Sequence, residues 1–225
     1  MEFKNIVATI YLKDGKAVKS PTDLTSAGDV FKKAKMYNDC GIDKIFIFDL
    51  SEDDEEHEKN LQTIKELNRN LEIKVCAGGN INRFEDIKKI FYTGCLQVML
   101  NGSKPESIAL AEEASKRFGK DRILVSVENV DFVFKHQAKM NENFHELLVL
   151  NTSVLDAIEN ITDVPYVVYF ETCDYEKIIE VLKRSNTRGI AGGFLNDPNT
   201  NIMEIKSQLS SAGIKMDNFD PALKW

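Results

Sequence analysis

The chain predicts an α/β protein, a (β/α)8 TIM barrel whose second half has shortened βα units. Short β-branched runs alternate with helical patterns almost from end to end. The strand runs are apolar on both faces rather than alternating, which suits a parallel sheet covered by helices. Eight strands and eight connections can be read, a number that closes into a barrel more readily than it spreads into an open sheet. The 225 residues fit one such barrel, which runs to roughly 250 residues.

The elements follow in order. Residues 5–12, NIVATIYL, read as the first strand. Residues 26–41 read as a helix stopped by Gly41, with Val30, Phe31, Ala34 and Met36 through Cys40 on its apolar side. KIFIFDL (44–50) is the second strand. The acidic run 51–59, SEDDEEHEK, reads as a solvated loop and helix start favoured by the helix dipole, with His57 exposed in it. The helix at 57–70 places Leu61, Ile64 and Leu67 on one side. Strand IKVCAGG, helix RFEDIKKIFYTGC, strand QVMLNG and helix PESIALAEEASKRFG come next, the last with Pro105 near its start and Gly119 past its end. After strand 122–129 the pattern thins. Residues 131–145 offer only a short helix or loop before ELLVLNT (146–152), and VLDAIENI is barely two turns before YVVYFET (166–172). Helix DYEKIIEVLKRSN, strand RGIAGGFL and helix NIMEIKSQLSSAG complete the barrel, which is assigned residues 1–214.

The balance of 43% hydrophobic and 29% charged residues is that of a globular chain able to bury a large core. A net charge of −7 argues against general nucleic-acid affinity, which needs clustered Lys and Arg. It leaves phosphorylated small molecules open, because these need only local donors. No apolar run approaches the roughly 20 residues that cross a bilayer, so no membrane partner is expected. The four cysteines show no C-x-x-C spacing; Cys40, Cys76 and Cys95 lie in or beside apolar runs and read as buried free thiols. With no secretory h-region, a cytoplasmic location fits. His57, His136 and His145 do not combine at ligand spacing with acidic or thiol partners, so no metal is assigned. No G-x-G-x-x-G or P-loop fingerprint is present, and no cofactor is expected.

In such a barrel the C-terminal ends of the strands carry the chemistry. IKVCAGGNI (73–81) and GIAGGFLND (189–197) share an apolar run, Ala-Gly-Gly and a small polar residue, about half the chain apart. Gly78, Gly79 and Asn80, with the neighbouring Asn101, Gly102 and Ser103, are candidate phosphate-binding residues. Glycine lets several backbone N–H groups converge on an anion without a Cβ in the way, and a following helix adds its positive end. Gly192 and Gly193 offer a similar cradle, although Glu171 and Asp174 on the neighbouring strand end would repel an anion there. Two tight turns are the competing reading. Asp14 and Asp49 are further strand-end candidates.

The segments NIVATIYLKDGKAVKS, GIDKIFIFDL, CAGGNI, QVMLNGS and ILVSVEN resemble, in order, the first five strands of the histidine-biosynthesis barrels, which comprise the ProFAR isomerase and the cyclase subunit of imidazole glycerol phosphate synthase. Lys13-Asp14-Gly15 with Val18-Lys19, then Asp49 and Gly-Gly, carry the likeness, which is good to about residue 130 and slightly closer to the cyclase. The resemblance implies a ligand with a phosphate at each end, one held by each half-barrel, and a pair of aspartates at the ends of strands 1 and 5 working as general acid and base. Here those positions read Tyr11 and Glu128. A phenol with an ordinary pKa near 10 is a poor base at neutral pH, though it can donate a proton. Glu128 moves its carboxylate by one methylene, and catalytic geometry tolerates little displacement. LNTSVL and ETCD stand where the family has an Asp-rich and a Gly-rich loop. Lys19 is placed either over a ligand or in an exposed salt bridge.

Three functions follow from the resemblance. One is a catalytically impaired barrel that binds a phosphorylated aminoimidazole nucleotide. The second is a working isomerase or cyclase with Glu128 as carboxylate and Tyr11 as proton donor, the cyclase needing ammonia from a glutaminase partner. The third is another phosphate-binding barrel enzyme on the same scaffold. Residues 215–225, KMDNFDPALKW, read as a linker-like tail, and NFDPALKW resembles the join to a phosphoribosyl-AMP cyclohydrolase and phosphoribosyl-ATP pyrophosphatase domain in some bacterial fusions.

Overall fold

The computed structural model describes residues 3–197 and 200–218. Eight parallel strands close into a barrel: β1 (Asn5–Lys13), β3 (Lys44–Asp49), β4 (Lys74–Gly78), β5 (Gln97–Asn101), β6 (Ile123–Val127), β7 (Glu146–Val149), β8 (Tyr166–Phe170) and β9 (Thr187–Gly192). Each pairs with the next, and β1 pairs with β9, Ile6 opposite Ile190. The extra strand β2 (Lys16–Val18) folds back antiparallel on β1, a hairpin that the sequence reading missed. Its two-residue turn is Asp14-Gly15, with φ of 48° and 73°. A two-residue Asp-Gly loop with both φ positive is the favoured hairpin connection.

The helices form the outer layer: α1 (Val30–Asp39), α2 (Asp54–Asn70), α3 (Phe84–Tyr92), α4 (Ser107–Phe118), α5 (Asp131–Lys135), α6 (Gln137–Asn143), α7 (Leu155–Glu159), α8 (Tyr175–Leu182) and α9 (Ile202–Ser211). The thin stretches of the sequence become the five- and seven-residue helices α5 to α7. Asp53 caps α2, so this helix starts three residues before the expected 57.

Side chains alternate across each strand, and this divides the core. Ile6, Ala8, Ile10 and Leu12 of β1 face the helices, in the larger apolar cluster. One residue from each barrel strand fills the centre: Val7, Phe46, Cys76, Met99, Leu124, Leu148, Val167 and Ala191. Towards the N-terminal end of the strands Lys44 Nζ donates to Glu146 Oε2 at 2.8 Å, an ion pair only 8% and 4% exposed. β3 and β7 lie four places apart in a ring of eight, so this pair spans the barrel floor.

Two expectations are corrected. Cys40 is exposed, because α1 ends at Asp39 and Cys40 is its C-cap; Cys76 and Cys95 are buried and free. His57 is buried, 3% exposed. Residues 215–217, assigned to the tail, lie against the start of the chain: Lys4 N donates to Lys215 O, and Asp217 N donates to Lys4 O. Residues 219–225, which carry most of the tail and its resemblance to a fusion join, lie outside the described residues.

Candidate functional site

A cleft of about 910 Å³ opens at the C-terminal ends of the strands. Among the predicted site residues, Tyr11, Asp49, Gly79, Asn80, Asn101, Gly102, Ser103 and Glu128 line it; Gly78, Asp14, Lys19, Gly192 and Gly193 do not. Tyr11 follows Val7 on the inward face of β1. Glu128 follows Leu124 inward just past the end of β6. Strands β1 and β6 are four places apart in the ring, so the phenol and the carboxylate face each other across the mouth.

Tyr11 is 8% exposed, and its ring stacks on Phe48 with centroids 5.5 Å apart. The Tyr169 phenol lies beside it and donates to Glu171 Oε2 at 2.8 Å. Burial pushes the Tyr11 phenol above its ordinary value, and burial followed by the contact with Tyr11 pushes Tyr169 further. Both therefore remain protonated at neutral pH. Glu171, a strand-end acid in the sequence, lines the cleft, and Tyr169 and Phe48 extend the predicted site. Period-two alternation on β8 and β3 was the signal that could have found these two.

Asp49 is a different kind of residue. Alternation turns it towards α2 rather than into the barrel. Its Oδ2 lies 2.5 Å from His57 Nδ1, and its Oδ1 accepts from Ser51 N at 2.8 Å and from Asn60 Nδ2. Asn60 also accepts from Gly15 N at 2.7 Å. Both carboxylate oxygens are thus occupied in tying β3, α2 and the β1–β2 hairpin together. Asp14 sits in the hairpin turn and pairs with Lys59 at 2.9 Å. Lys19 is exposed and lies 3.6 Å from Asp23; the next residues, Ser20, Pro21 and Thr22, reach the cleft instead.

The glycine-bearing ends differ. At the end of β4, Gly79 and Asn80 turn with φ of 91° and 47°, and the amide groups of Asn80 and Ile81 make no hydrogen bond among the described residues. A Cβ on Gly79 would overlap the Asp49 carbonyl, so only glycine fits. At the end of β5 the donors are already used: Gly102 N donates to Ser126 O, and Ser103 N to Asn101 Oδ1, both at 2.9 Å. At the end of β9, a Cβ on Gly193 would lie 2.9 Å from both carboxylate oxygens of Glu171. The two Ala-Gly-Gly copies are therefore not equivalent. The first presents unpaired donors to the cleft, and the second is covered by a carboxylate.

Among the described residues four acids, Asp49, Glu128, Asp131 and Glu171, line the cleft, and no Lys, Arg or His does. Among the described residues no three His, Cys, Asp or Glu side chains cluster as a metal site would require. No described helix is long and apolar enough to cross a membrane.

Fold and cleft together define a (β/α)8 barrel with a ligand-sized mouth ringed by aromatic and acidic side chains. A model of the histidine biosynthesis protein family matches residues 5–197, and the chain belongs to that family. It is similar to the imidazole glycerol phosphate synthase subunit HisF of Staphylococcus saprophyticus, 26% identical over 246 aligned residues that cover 94% of this chain and 98% of that protein. The subunit of the same name from Exiguobacterium sp. is 24% identical over 245 residues, covering 95% and 96%. That of Campylobacter concisus is 32% identical over 127 residues, covering 56% and 51%. The first alignment is longer than this 225-residue chain, so that relative carries segments missing here.

Proposed function

We propose that this chain is a histidine-biosynthesis barrel that has lost its acid–base pair and binds a phosphorylated aminoimidazole nucleotide across its mouth. The observation that carries this reading is the state of Tyr11. The position where the family resemblance implies an aspartate holds a buried phenol, stacked on Phe48 beside the Tyr169–Glu171 hydrogen bond. A carboxylate at that position can accept a proton at neutral pH, whereas this phenol holds its own. Binding is supported by the unpaired amides of Asn80 and Ile81, beside the positive φ angles of Gly79 and Asn80 that form a backbone concavity suited to a phosphate. The stacked Tyr11 and Phe48 rings offer an apolar wall to a heterocycle.

A second reading is favoured by one observation, that Tyr11 and Glu128 line the same cleft. It makes the barrel a working cyclase with Tyr11 as proton donor and Glu128 as carboxylate, in an assembly supplying ammonia, as the word subunit in the relatives' names suggests. Calorimetric titration with the nucleotide, paired with a steady-state assay supplied with ammonia, separates the two. Binding without turnover supports the first, binding with turnover the second, and neither removes both. The fusion reading is tested by the reading frame that follows Trp225, where a cyclohydrolase sequence would support it.

A further inference from the structure

The two Ala-Gly-Gly ends and the ring order decide what kind of ligand the cleft can take. β4 and β8 stand four places apart in a ring of eight, so the amides of Asn80 and Ile81 lie across the mouth from Glu171. Glu171 is exposed at the mouth and covers the second glycine pair. Its Oε2 accepts from Tyr169 Oη at 2.8 Å, its carboxylate lies against Gly193, and it makes no ion pair among the described residues. An anion approaching Gly192-Gly193 would meet this negative charge, and among the described residues no cation lines the cleft to offset it.

We propose that Glu171 is a specificity-determining residue that occupies the second cradle and restricts the cleft to ligands bearing a single phosphate. The phosphate docks on Gly79-Asn80, and the opposite end of the ligand, facing Glu171, is neutral or cationic. This inference rests on the phosphate reading proposed above and narrows its substrate class from two anionic ends to one.

Binding of two probes tests it, ribose 5-phosphate and ribulose 1,5-bisphosphate, titrated calorimetrically into the wild type, Glu171→Gln and Asn80→Asp. Glu171→Gln keeps the shape and the hydrogen bond from Tyr169 while removing the charge. The expected result is that the wild type binds the bisphosphate no more tightly than the monophosphate. Glu171→Gln should then gain at least tenfold for the bisphosphate, with the monophosphate changed less than about twofold. A wild type that prefers the bisphosphate tenfold overturns the inference, as does an equal gain for both probes in Glu171→Gln. Asn80→Asp places a negative charge on the first cradle and should abolish binding of both probes. If it leaves them unchanged, the phosphate is not held there, and the reading of the previous section fails whatever Glu171 does. Failure of every protein to bind either probe removes both.

Discussion

Tyr11 and Glu128 face each other across the mouth of the barrel, one ending β1 and the other just past β6, four strands away in either direction. Tyr11 is packed on Phe48 beside Tyr169, whereas Glu128 is exposed and makes no ion pair among the described residues. The mouth thus pairs a neutral, immobilised phenol with a solvated carboxylate. This asymmetry underlies the reading of the site as one that binds without efficient proton transfer.

Titration of the tyrosines should report the same packing. Burial raises Tyr11, Tyr37 and Tyr169, and raises Tyr166 and Tyr175 to about 12. Above pH 10 the unfolded chain ionises these phenols while the folded one keeps them protonated, so the folded state binds more protons and stability falls as pH rises. Ultraviolet absorbance of phenolate and urea unfolding, both followed from pH 9 to pH 12, check this. A stability that stays level up to pH 12 would contradict it.

Replacing His57 should destabilise the fold rather than alter ligand binding directly. His57→Ala empties a buried site and removes a partner of the Asp49 carboxylate, so a loss of about 2–4 kcal/mol in urea unfolding is expected. A loss below about 0.5 kcal/mol would mean that this contact does not anchor α2 to β3.

Gly79 and Gly119 both have φ near 90°, at 91° and 87°, but only Gly79 is crowded. Gly119→Ala meets nothing within 4 Å and should cost about 1 kcal/mol from backbone strain alone. Gly79→Ala drives a Cβ into the Asp49 backbone and should cost several times as much or prevent folding. Equal costs would show that the turn relaxes freely.

The barrel floor offers a charge test. Lys44→Met leaves Glu146 buried without its partner, an arrangement that costs about 3–5 kcal/mol, whereas Lys44→Met with Glu146→Leu should recover most of that loss. Unfolding midpoints of the single and double variants measure it, and a double variant no better than the single one would contradict the pairing.

Much of the fold was legible because burial on both faces and alternation of elements are properties of composition along the chain. The eight strands and the helices between them follow from runs such as KIFIFDL and ILVSVEN. The Asp-Gly turn of the β1–β2 hairpin stands in plain sight, but an aspartate just past a strand reads equally well as a strand-end acid. A histidine inside SEDDEEHEK looks solvated; only the turn of α2 brings His57 beneath Asp49. The strand ends located the mouth, but which glycine loops keep free amides depends on long-range contacts. Ser126 O takes the amide of Gly102, and Glu171 covers Gly193, and neither fact is written in the local sequence.

The most direct measurement is ammonia-dependent turnover of the aminoimidazole nucleotide by the wild type, Tyr11→Asp and Tyr11→Phe, with folding of each checked by circular dichroism. The expected result is negligible turnover by the wild type and Tyr11→Phe, and a rate raised at least tenfold by Tyr11→Asp. Turnover by the wild type that Tyr11→Phe abolishes would contradict it, and would make the phenol a working acid.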